Sequence, residues 1–171
     1  MSIKLSFWRA ALAAPWVLGL AGFAWGQGKD GHAVGHNMAD MQFSAVPGLP
    51  NCTPGSVQSG NPAQGPSIIL AKADTGCTVP WHWHSPNEHL MMVQGVARLD
   101  TKNGKPLTLR AGGYAMLPAK HVHRFVCTSS CVFYVHSDGA FDIHYVNDHG
   151  NEISPDEALK SVNDAAAKRK K

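Results

Sequence analysis

From Ser67 onward the chain is a succession of short apolar runs cut by Gly, Pro, Asn and Asp, with almost no spacing that suits a helix. Ser67 to Lys72, Glu88 to Gln94, Val96 to Thr101, Pro106 to Arg110, Tyr114 to Pro118, His121 to Cys127, Val132 to His136 and Phe141 to Val146 each read as a strand. Lys102-Asn103-Gly104-Lys105 separates two of these runs, and Asn-Gly in that position is the strongest short hairpin signal. Ala111-Gly112-Gly113 and Ser137-Asp138-Gly139 read as further turns. Gln42 to Pro66 is crowded with Pro and Gly, which fits short strands and turns and excludes a helix. Many short strands at close, even spacing predict an all-β sandwich or barrel over residues 43–150.

The two ends of the chain break this pattern. Met1 to Gly26 has the form of a secretory signal peptide: Lys4 and Arg9 give a positive start, and Ala10 to Trp25 is apolar. That apolar run is shorter than the roughly 20 residues a membrane span needs, so the reading is export with cleavage near Gln27 and no stable membrane insertion afterwards. Residues 27–42 are polar and glycine-rich and are expected to form a disordered arm. Residues 151–171 are expected to hold a helix and a basic tail. Ser154 suits the cap, Pro155 the first helical position and Glu157 the reciprocal capping position.

Charge narrows the partners. The formal net charge is +3, but Lys168-Arg169-Lys170-Lys171 carries four positive charges alone. Without that tail and without Lys4 and Arg9, nine basic residues face 12 acidic ones. A mildly acidic body with no basic face argues against nucleic acid as a partner. The expected location is the periplasm or the cell exterior. There the four cysteines, Cys52, Cys77, Cys127 and Cys131, are expected to form disulfides. Cys127-Thr-Ser-Ser-Cys131 reads as a tight hairpin that permits a local bridge, which leaves Cys52 to Cys77. The alternative is a redox pair or a thiolate ligand, although three intervening residues is not the redox spacing.

The candidate chemistry lies between Gly76 and Gly95. On a strand, residues two apart share a face and lie about 6.6 Å apart, so His82 and His84 project together. Ser85-Pro86-Asn87 reads as a turn. A hairpin there would return the Glu88 carboxylate to the two imidazoles. A His-x-His pair alone is most often a surface pair, and the added carboxylate is what suggests a metal ion.

The spacing of Gly76, His82, His84, Glu88 and Gly95 resembles the first motif of the cupin superfamily, and Gly112, Pro118 and His123 resemble the second. Lys120 stands where that family usually has Gly, and Cys127 where it often has Asn. The resemblance implies a double-stranded β-helix, or jelly-roll, barrel. It also implies that His82, His84, Glu88 and His123 bind one divalent transition metal ion: Fe, Mn, Zn, Ni or Cu. An octahedral ion so held keeps two positions for water, O2 or a small-molecule ligand, and Glu88 can double as a general base. His121, Phe125, Met92 and Trp81 are candidates for the pocket wall. Three functions follow as expectations: a metal-dependent dioxygenase acting on a small organic molecule, a metal-assisted lyase or isomerase, or a non-catalytic ligand-binding cupin of the cell envelope. The resemblance also allows a homodimer through an edge strand.

Overall fold

The computed structural model describes residues 33–102 and 104–169. The leader expected at residues 1–26 lies outside the described residues, as do residues 27–32 of the expected arm. The described part of that arm holds one short 3-10 turn, Met38–Asp40, with exposed side chains.

Eleven strands follow among the described residues: β1 (Gly55–Gly60), β2 (Ser67–Ala73), β3 (Thr78–Trp83), β4 (Glu88–Gln94), β5 (Val96–Thr101), β6 (Leu107–Arg110), β7 (Tyr114–Leu117), β8 (His123–Cys127), β9 (Cys131–Ser137), β10 (His144–Val146) and β11 (Glu152–Ile153), before the helix α1 (Pro155–Arg169). They form two antiparallel sheets, ordered β1-β2-β9-β4-β7 and β11-β10-β3-β8-β5-β6. Side chains from both sheets meet between them, as in a jelly roll. In β8 and β9 buried and half-buried residues alternate along the whole strand, as period-two burial requires. The shared core includes Leu90, Leu99, Phe125, Phe133 and Tyr145. Burying each such side chain contributes about 1.5–3 kcal/mol.

Several strands are shorter than the apolar pattern suggests, for local reasons. Pro106 and Pro118 fall outside β6 and β7, since proline has no N–H for the ladder. Phe141-Asp142-Ile143 is a loop, and β10 starts at His144. His121 closes a turn from Pro118 in which Lys120 takes φ 63°, and Val122 links it to β8. This left-handed conformation costs a non-glycine residue about 1–2 kcal/mol. The turn closes nonetheless: Lys120 N–H donates to the His84 carbonyl (2.8 Å), and His121 N–H donates to that of Pro118 (3.0 Å).

Two expected hairpins prove to be arches between sheets. β3 pairs with β8 and β10, whereas β4 pairs with β7 and β9. Glu88 therefore reaches His82 and His84 from the opposite sheet. Asn87 fixes that arch: its backbone and side-chain N–H groups donate to the Asp138 carboxylate (2.9 and 2.6 Å), and its Oδ1 accepts from Ala119 N–H (2.9 Å). In the same way β8 and β9 lie in different sheets.

The cysteines follow from this topology. Cys52 and Cys77 form a disulfide with Cα atoms 5.8 Å apart. The bridge expected between Cys127 and Cys131 is absent, and both remain buried thiols. The segment joining them turns from one sheet to the other rather than closing a hairpin, and the Cys131 thiol donates to the Ser129 carbonyl at 3.2 Å. A hydrogen bond with Cys131, reinforced by burial, pushes the Cys127 thiol far above its ordinary range. At the C-terminus Ser154 Oγ accepts from Glu157 N–H at 3.2 Å, capping α1 as expected. Leu159 of α1 is buried, with Ala158 and Val162 packed against the core. No described helix is long and apolar enough to cross a membrane.

Candidate metal centre

The structure brings His82, His84, Glu88 and His123 together at one end of the barrel interior. Each offers one ligand atom, and the four atoms lie within 4.8 Å of one another. All four residues are buried. His82 and His123 sit on paired positions of β3 and β8. A β-bulge between Val79 and His82 makes this possible, because the extra residue lets both Val79 and His82 face inward. Pro80 lies in the bulge, where a missing N–H is tolerated.

Each imidazole is held by a backbone carbonyl. His82 Nδ1 donates to Pro80 (2.6 Å), His123 Nδ1 to His121 (2.9 Å), and His84 Nδ1 to Asp142. A carbonyl only accepts, so each Nδ1 carries the proton and each Nε2 presents a lone pair. Metal-binding histidines are oriented by this kind of outer bond. Glu88 Oε2 lies 3.1 Å from His123 Nε2 and 3.6 Å from His84 Nε2. Those pairs lack hydrogen-bond alignment: His84 Nε2 and Glu88 Oε2 are buried with no hydrogen-bond partner among the described residues. Three bare nitrogens and a carboxylate form a nest of acceptors without a donor. Unsatisfied buried polar atoms cost about 1–3 kcal/mol each, and a cation at their centre removes that cost. The donor set thus fits a transition metal ion of borderline softness.

Electrostatics agree. Burial, then the proximity of His123 and His84, holds His82 well below its ordinary pKa, so it is a neutral imidazole near pH 7. Burial pushes the Glu88 carboxyl up, but positive charge on His84 and an Nε2–H of His123 outweigh it wherever those rings are protonated, holding Glu88 below its ordinary range and ionised; with the nitrogens bare, that positive charge is what a cation would supply.

The sequence profile of the cupin domain matches residues 70–137. Solved structures share the architecture. A polyketide cyclase from Streptomyces resistomycificus superposes with a TM-score of 0.58 at 16% identity, over 75% of this chain and 99% of its own. A candidate acetylacetone dioxygenase from Methylibium petroleiphilum gives 0.56 at 17% identity, over 72% and 87%. An RmlC-like cupin from Ralstonia eutropha gives 0.55 at 18% identity, over 77% and 85%. Residues 70–137 thus match a cupin domain, and the fold around them is the one these structures share. A search among curated proteins finds no match.

Beside the four-residue cluster the barrel has a cavity of about 40 Å³, walled by Val46, Leu49, Ile69, Phe125, Phe133 and Phe141 among others. Apart from the four ligands, Thr53 is the one polar side chain in the wall. Of His121, Phe125, Met92 and Trp81, Phe125 lines it. Trp81 projects outward and packs against Lys102 and Arg124, because the bulge gives the inward position to His82. Met92 is buried farther along β4, in the general core. His121 contributes its carbonyl to His123 and not its ring to the wall. Sequence reading missed Leu49 and Phe141, which arrive on loops, and Asp142, whose carbonyl orients His84. The Phe141 ring lies 5.0 Å from that of His84. Asp142 is itself tied down by Ser85 N–H at 2.7 Å. His144 stacks on Trp83 outside the barrel, with centroids 3.9 Å apart.

Proposed function

We propose that this cupin is a metal-dependent oxidoreductase, of dioxygenase type, that acts on a small and largely apolar organic molecule. His82, His84, Glu88 and His123 hold a single divalent transition metal ion. The observation that carries the reading is the nest of buried acceptor atoms set directly against an apolar cavity. A bound ion supplies Lewis-acid and redox chemistry. The chain supplies orientation, dryness and proton handling. The three Nδ1–H bonds fix the imidazoles before any ligand arrives. The apolar wall excludes water and offers no polar anchor besides Thr53, so the polar atoms of a substrate must be recognised at the ligand cluster itself. Glu88, kept ionised by its histidine neighbours, is the group that takes a proton there. The Cys52–Cys77 disulfide supports an exported protein working in the periplasm or outside the cell.

A second reading rests on the cavity's size. About 40 Å³ admits one or two water molecules, which also suits a non-catalytic metal-binding cupin. Oxygen uptake separates the two. Iron-loaded protein offered short diketones and phenols is expected to consume O2 in a substrate-dependent way, and His123→Ala to abolish this. Metal retained at full occupancy, with no uptake across the panel, would overturn the enzymatic reading and leave the binding one.

A further inference from the structure

The four-ligand cluster uses three of the chain's histidines. Two others meet on the opposite side of the β4–β9 pair, facing away from the barrel interior. His89 of β4 and His136 of β9 are directly paired across the two strands. Their neighbours Glu88, Leu90, Val135 and Ser137 are buried, so alternation turns both imidazoles outward, where they are half-buried. Directly opposed residues on antiparallel strands have Cβ atoms about 4.5–5.5 Å apart, which two imidazoles can bridge through one ion.

The ring geometry matches that task. The His89 and His136 centroids are 5.2 Å apart. Two imidazoles bound to one tetrahedral ion through nitrogens about 2.0–2.1 Å away have centroids roughly 5 Å apart. An independent contact orients one of them. His89 Nδ1 lies 2.7 Å from Tyr114 Oη, contributed by the edge strand β7. With the phenol oxygen accepting, Nδ1 holds the proton and Nε2 presents a lone pair, the same outer support that each interior histidine receives from a carbonyl. Among the described residues neither His89 Nε2 nor the His136 ring has a hydrogen-bond partner.

We propose that His89 and His136 form a second metal site, a cross-strand chelate on the outer face of the sheet, separate from the interior cluster. Two neutral imidazoles with the remaining positions open to water select a borderline transition ion: Cu(II) most strongly, then Ni(II) or Zn(II), and not Mg or Ca. Tyr114 is its positioning residue. The site is independent of whether the interior centre is catalytic.

The test counts metal. The full-length protein has its interior site filled and excess ion removed, and Ni(II) is then titrated by calorimetry. His136→Ala and His89→Gln are each expected to bind one equivalent fewer than the wild type while keeping the interior ion. Tyr114→Phe is expected to keep the stoichiometry and bind several-fold more weakly. Equal stoichiometry in the wild type and both histidine variants overturns the proposal. So does a deficit in the variants that comes from the interior ion. Circular dichroism of the variants, with half-exposed positions changed on an otherwise intact strand, is expected to match the wild type.

Discussion

The two ends of the barrel interior are buried to the same degree and hold opposite chemistries. His123 and Cys127 are the two ends of β8, about 13 Å apart along the strand. At the Cys127 end the residues ask for nothing more. Ala97, Cys127 and Cys131 are closely packed, and the Cys52–Cys77 disulfide stands beside them. Cys77 and Cys127 are joined by a backbone hydrogen bond of 2.9 Å. At the His123 end four polar side chains are buried with their lone pairs turned on one another. One end stabilises the chain unaided, and the other leaves a place that a cation could fill. Local cost concentrated at one place in an otherwise consistent fold marks a functional site.

The sharpest way to break the contrast is to supply the cation. A divalent transition ion at 1,000 times its dissociation constant is expected to stabilise the protein by about 4 kcal/mol, readable as a rise in thermal midpoint, and a chelator to reverse it. His123→Ala should erase that rise. At the opposite end, converting Cys52 and Cys77 to serine is expected to cost about 3–4 kcal/mol whether or not metal is present, as the loop it closes spans 25 residues. If metal fails to stabilise the wild type, the idea of an incomplete end is wrong.

Glu88→Gln inverts the signs within the His123 end. The amide brings N–H donors to a cluster that holds only acceptors. The metal-free variant is expected to be more stable than the metal-free wild type by about 1–3 kcal/mol in urea unfolding, and to bind metal far more weakly. A variant less stable than the wild type would show that Glu88 is already satisfied.

Acid should loosen the same end first. His82 is held well below its ordinary value of 6.5 when folded, so it is neutral there and protonates in the unfolded chain. The unfolded state then binds more protons, and the metal-free protein loses up to ~1.4 kcal/mol per pH unit as pH falls below 6.5, until the folded value is reached. Glu88, also held low, adds a loss of the same sign below its ordinary value of 4.5. The difference in urea midpoint between the wild type and His82→Gln, followed from pH 7.5 to pH 5, isolates the histidine. A flat difference would sink this account.

Much of this division is legible along the chain. His82, His84 and Glu88 declare themselves by same-face spacing and a turn, and β4 and β5 keep the bounds their apolar runs suggest, because Gly95 separates them with φ 87°. The wall of the cavity is not legible. It depends on a bulge that shifts the inward face of β3 between Val79 and His82, and on Leu49 and Phe141, which loops deliver from distant parts of the chain. The fate of Cys127 and Cys131 is hidden for a related reason: a short segment between two strands looks the same whether it closes a hairpin or crosses between sheets.

The smallest expected effect tests the turn that sets His123 in place. Lys120 holds a left-handed backbone that glycine adopts without strain, and its N–H bridges to the His84 carbonyl. Lys120→Gly relieves about 1–2 kcal/mol of strain but gives the unfolded chain back about 0.5–1 kcal/mol of freedom. A net gain of up to about 1 kcal/mol is therefore expected, with metal affinity unchanged, because the bridge uses backbone atoms that glycine retains. Lys120→Pro lacks that N–H and cannot reach a positive φ, so it is expected to weaken metal binding through His84 and His123 together. If instead Lys120→Gly lowers metal affinity while Lys120→Pro spares it, the side chain and not the backbone of Lys120 supports the centre.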